Sequence, residues 1–163
     1  MSDWIELDFL PEDLRLTGAP APGHLFFDTN TLAREEFRAV ARARGGGVIS
    51  AVVLGELLAR RRDTNHLANT IARLRAGRLV VASIDADVIE TFWRLTRTLQ
   101  FDLPPFCGPG DNEKAARKRV ALDLLIFATS LRHRRKLVTE NTQDFQSFGM
   151  RDCWATLSEV AAE

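Results

Sequence analysis

The sequence predicts an α/β fold: a mostly parallel central sheet with helices covering both faces. Two observations carry this expectation. Short apolar runs, LFF (25–27), VISA (48–51), RLVVASI (78–84), KLVT (136–139) and CWAT (153–156), alternate with stretches of helical periodicity. Such alternation builds βαβ units, whose parallel strands are buried on both faces and read as continuous apolar runs. The chain of 163 residues is also 45% hydrophobic and 27% charged, enough for one domain with a full core.

Taken in order, residues 1–23 carry Pro11, Pro20 and Pro22 with little periodicity and read as an extended arm, with one short turn near Pro11–Arg15. Residues 24–163 then form the single domain. Leu32, Phe37, Val40 and Ala41 fall at near-helical spacing in 31–44, and the glycines at 45–47 stop that helix. VISA runs into the helical stretch VLGELLARRR. Helices are expected over 63–76 and 85–99, on either side of the strand at 78–84. The stretch 101–112 is rich in Pro and Gly and reads as a loop. A long helix fills 113–135, KLVT follows as a strand, and CWAT is the last strand expected.

Composition narrows the function classes. Lys plus Arg and Asp plus Glu are each 22, so net charge is zero and any nucleic-acid site must be a local patch. Cys107 and Cys153 are too few for a disulfide framework, and they and the three histidines lack zinc-ligand spacing. The acidic start MSDWIELDFL does not resemble a secretion signal, and no apolar stretch reaches membrane length. The expectation is a cytoplasmic protein with no membrane contact.

Four acids stand in unusual places. Asp28 ends the apolar run LFF; Glu56 lies in SAVVLGELLAR; Asp123 interrupts the apolar helix VALDLLIFATS; Asp144 follows KLVT in TENTQDF. Each has an ordinary explanation as a helix cap, a turn residue or a core ion pair. Collected at strand ends and adjoining helices, however, four carboxylates repel one another unless a cation lies among them. An all-oxygen set suits a hard divalent ion, Mg²⁺ or Mn²⁺. In open parallel sheets, sites form outside the carboxyl ends of the strands, where Asp28 stands.

The blocks LFFDTNTLA, SAVVLGELLAR and LDLLIFATSLRHRRKLVTENTQDF resemble the signature blocks of PIN-domain ribonucleases, especially VapC-type toxins of toxin–antitoxin pairs. The resemblance spans roughly residues 24–156 and implies a three-layer α/β/α sandwich with Mg²⁺- or Mn²⁺-dependent cleavage of RNA. The family's acidic quartet falls on Asp28, Glu56, Asp123 and Asp144, and its supporting polar positions on Asn30, Thr139 and Asn141. A divalent ion in such a site activates water and offsets charge building on the phosphate; Glu56 or Asp144 can also orient the attacking water. The resemblance further implies an antitoxin protein as partner. Two departures are a longer arm before LFFD and an expanded segment before Asp123.

Rival readings fare worse. A haloacid dehalogenase-type phosphatase needs an acid two residues after the strand-end Asp, where this chain has Asn30, and no G-x-G-x-x-G follows a strand. A processing nuclease without an antitoxin, or an inert PIN scaffold, are the alternatives that keep the fold. Basic clusters occur at Arg60–Arg62, Lys114–Arg119 and Arg132–Lys136. If the long helix starts near Asn112, Arg119 lies one turn before Asp123 on the same side. This position makes Arg119 a candidate RNA-phosphate contact, with an Arg119–Asp123 ion pair as the alternative, and 102–112 a candidate flap. Leu67, Ile71, Leu74, Val88, Phe92 and Leu95 on the two middle helices are candidates for a homodimer face.

Overall fold

The computed structural model describes residues 10–60, 64–99, 110 and 112–163. Trp4, Arg61, Arg62, Cys107 and the expected flap, except residues 110 and 112, lie outside the described residues. All five expected strands form: β1 (Leu25–Phe27), β2 (Gly47–Ser50), β3 (Leu79–Ala82), β4 (Leu137–Val138) and β5 (Trp154–Ala155). They make one parallel sheet in the order β3-β2-β1-β4-β5. Phe26, Val48, Ile49, Leu137 and Val138 are fully buried, as expected for strands covered on both faces. Helices on the two faces complete the three-layer α/β/α sandwich.

Those helices are α1 (Phe37–Ala43), α2 (Ala51–Ala59), α3 (Thr64–Ala76), α4 (Ala86–Thr98), α5 (Glu113–Arg132), α6 (Thr142–Phe148) and α7 (Leu157–Ala162). Their starts follow local chemistry. Ser50, Asp85 and Asn112 accept hydrogen bonds from the amides of Val53, Val88 and Ala115, capping α2, α4 and α5. Helix α5 runs unbroken through Arg119 and packs along α4. The glycines after α1 do stop it: Gly46 donates to the Ala41 carbonyl with φ at 140°, a backbone region that side chains rarely adopt.

The structure differs from expectation in four places. The helix expected from residue 31 divides into a 3-10 turn (Thr31–Ala33) and α1. Thr31 donates its hydroxyl to the Val138 carbonyl at 2.9 Å, which ties this turn to β4 and ends it before α1 begins. Helices α6 and α7 were not expected, although Thr156 and Glu159 form a reciprocal capping box at the start of α7. The arm makes the short turn expected near Pro11–Arg15, at Glu12–Leu14, and then lies against β3. Leu14 is buried in the core, Arg15 bridges Val81, and Leu16 donates to the Val81 carbonyl at 2.9 Å.

The fourth correction concerns the candidate dimer face. Leu74, Val88 and Leu95 are buried, and Leu67, Ile71 and Phe92 half-buried, so these positions mostly serve the core. The exposed apolar side chains of α4 are Ile89 and Trp93, one helical turn apart, with the Arg97 guanidinium 5.1 Å from the Trp93 ring centroid. Among the described residues no helix is long and apolar enough to cross a membrane.

Candidate metal centre

Strand order decides where a site can form. From β1 the chain proceeds to β2 and β3 on one side, while β4 and β5 lie on the other. The crevice between β1 and β4 is therefore the switch point at the carboxyl edge. Asp28 follows β1 and Thr139 follows β4. The Thr139 hydroxyl donates to Asp28 Oδ2 at 2.8 Å, and the Thr29 amide donates to Asp28 Oδ1 at 2.6 Å. Asp28 is only 4% exposed. Burial raises its pKa most, the two hydrogen bonds oppose the rise, and the charge of Glu56 adds to it.

The other acids arrive from three helices. Glu56 lies on the second turn of α2, which begins directly after β2. Asp123 is buried midway along α5, and Asp144 is buried in the first turn of α6. Asn141 joins the last two: its side-chain amide donates to Asp123 Oδ2 at 3.0 Å and to Asp144 Oδ2 at 2.9 Å. Asn141 precedes α6 but makes no side-chain cap there; its Nδ2 is turned to the two carboxylates instead. The Asn141 backbone amide in turn donates to Thr139 Oγ1 at 3.1 Å, and Asn30 accepts from the Glu140 amide at 3.1 Å. These bonds tie the segment after β4 to the end of β1.

Asp28, Glu56 and Asp123 line a cleft of about 410 Å³ with Thr29, Asn30, Ala59 and Arg60. Asp144 joins this group through Asn141, which bonds both it and Asp123. Arg119 points to Asp144, where sequence spacing paired it with Asp123: its Nε lies 3.6 Å from Asp144 Oδ2. The residue that sequence reasoning missed is Thr29, whose hydroxyl donates to Glu56 Oε2. Its position between Asp28 and Asn30 was the available signal.

The donor set fits a hard divalent cation. Every candidate ligand is a carboxylate oxygen, and burial together with the neighbouring acids pushes the Asp123 pKa up to about 8. Burial is the largest cause, followed by the charges of Asp28 and Asp144, the hydrogen bond with Asp144, and the charge of Glu56. Among the described residues no three such side chains converge closely enough to chelate an ion.

No family model and no curated relative matches this chain. Solved structures do. A toxin–antitoxin complex from Klebsiella pneumoniae aligns with a TM-score of 0.52 and 21% identity, over 81% of this chain and 96% of that one. VapBC-1 from nontypeable Haemophilus influenzae aligns with a TM-score of 0.58 and 18% identity, over 82% of this chain and 98% of that one. At these identities the likeness establishes the fold.

The state of Asp123 has a consequence for stability. The unfolded chain loses this proton near the ordinary value of 3.8, whereas the folded chain holds it to about 8. Stability is thus fully present below the unfolded value and falls as pH rises toward the folded one, by at most about 1.4 kcal/mol per pH unit for one proton. The denaturation midpoint of metal-free protein should therefore drop between about pH 5 and pH 8. Asp123→Asn should remove most of that slope; an unchanged slope in the variant would assign it to other groups.

Proposed function

We propose that this chain is a PIN-domain ribonuclease that uses Mg²⁺ or Mn²⁺ and acts as the toxin of a toxin–antitoxin pair. One observation carries the reading. On a fold shared with VapBC-1, the carboxyl edge of the sheet gathers Asp28, Glu56, Asp123 and Asp144 around one switch point, secured by Thr139 and Asn141. Buried carboxylates packed this closely destabilise the fold unless a cation balances them. The four acids are the metal-holding and catalytic residues of the proposal, with Asn30, Thr139 and Asn141 supporting them. A bound divalent ion would supply an activated water and neutralise charge on the scissile phosphate.

The protein's own groups set the rest. Asp28 is held at both oxygens, by Thr139 and Thr29, and so presents a fixed carboxylate. Thr139 and Asn141 orient carboxylates without adding charge. Arg60 at the cleft and Arg119 beside Asp144 are cations placed where a phosphate backbone must pass an acidic surface. Arg119 is 42% exposed and can exchange Asp144 for a substrate phosphate. An antitoxin would cover this acidic cleft, with a basic side chain matching the carboxylates. Ile89 and Trp93 are the apolar positions proposed for a homodimer contact.

Expression of the chain alone should arrest growth, and purified protein with Mn²⁺ should cleave RNA. Asp28→Asn should keep the fold, gain metal-free stability as repulsion falls, and lose both effects. Full cleavage by that variant removes Asp28 from the reaction; cleavage without growth arrest in the wild type leaves a processing nuclease.

Two further outcomes follow. In an Asp28→Asn background, Arg119→Ala should weaken binding of single-stranded RNA and lower the slope of log K against log salt by about 0.7, the loss of one phosphate contact. An identical slope would reduce Arg119 to a partner of Asp144. Light scattering at tens of micromolar should show a dimer, and Trp93→Glu should split it; a monomeric wild type removes the α4 contact.

A further inference from the structure

Thr29 stands between two members of the quartet and is bonded to both. Its amide donates to Asp28 Oδ1 at 2.6 Å, and its hydroxyl donates to Glu56 Oε2. The residue is 7% exposed, so water does not compete freely for the hydroxyl. Residues 29 and 56 are far apart in sequence, and this contact joins the end of β1 to the second turn of α2. Glu56 itself lines the cleft with Asp28 and Asp123.

From this geometry we infer that Thr29 is a positioning residue that aims Glu56 at a divalent cation, an inference that rests on the metal-dependent reading above. Three physical features favour Thr at this position. Glu56 is a long, half-buried side chain, and a donor on one carboxylate oxygen fixes its plane while leaving the other oxygen open. The donor is neutral, so the carboxylate keeps the charge a cation needs; Lys or Arg here would cancel it. Thr is also β-branched and stiff about χ1, so its hydroxyl stays where the backbone puts it. Because the same residue holds Asp28 through its main chain, one short segment sets the relation between two carboxylates. Partners one bond removed from a metal typically change its affinity by about 10–100-fold when lost.

Calorimetric titration of Mn²⁺ into the metal-stripped full chain tests the assignment. Thr29→Val keeps the shape and removes the donor, and should raise the Mn²⁺ Kd about tenfold or more, while Thr29→Ser should return it to within about threefold of wild type. The double variant Thr29→Val/Glu56→Gln should bind no more weakly than Glu56→Gln alone, since Thr29 acts through Glu56. Circular dichroism identifies a variant that fails to fold; in that case Thr29→Ala against Thr29→Ser makes the same comparison. Wild-type affinity in the Val or Ala variant, or independent additive losses, overturns the role of Thr29 and leaves the metal reading standing. A wild type that takes up no Mn²⁺ overturns the metal reading itself, and this inference with it.

Discussion

Asp28 is 4% exposed at the carboxyl end of the central strand, where an ionised carboxylate costs several kcal/mol unless donors or opposite charge offset its lost hydration. Much of the surrounding sequence follows from that cost. Thr139 supplies a hydroxyl from the neighbouring strand end and Thr29 an amide from the next residue. Thr31 and Asn30 then pin the same turn to the chain around β4, through the Val138 carbonyl and the Glu140 amide. Neutral donors thus hold the Asp28 carboxyl group in place at both oxygens.

The strands were legible because a strand buried on both faces leaves a short, unbroken apolar run, and LFF, VISA and KLVT are such runs. The acids were legible for the opposite reason: Asp123 in VALDLLIFATS is a charge where periodicity calls for an apolar residue. Contacts between distant segments were not. Nothing in local spacing says that Arg119 reaches Asp144 on α6, or that Thr29 reaches Glu56 on α2, because both depend on how helices sit over the sheet. The candidate dimer face was misjudged for a related reason. Apolar residues at helical spacing identify a buried stripe, and on α4 that stripe faces the core while Ile89 and Trp93 flank it.

Local rules yield to the site in one instructive place. Asn141 precedes α6 where an N-cap is wanted, yet its side chain spans Asp123 and Asp144. A helix of seven residues without a side-chain cap is a weak element by itself. Burial of Phe145 and Phe148 against Phe127 supplies what the cap does not. Sequences keep such local inconsistencies mainly where a site requires them. The contrast with α7 is direct, since Thr156 and Glu159 there spend their side chains on the helix start.

The bond from Leu16 to the Val81 carbonyl, with the bridge between Arg15 and Val81, also protects the molecule from itself. An outer strand with bare amides and carbonyls is a template on which a second chain can add. Strand β3, LVVA, has the apolar, uncharged composition that favours such addition. Residues 14–16 occupy part of that rim, and Leu14 secures them by entering the core. What looks in sequence like a proline-rich preface thus acts as a hem on the sheet, guarding its third strand against intermolecular growth.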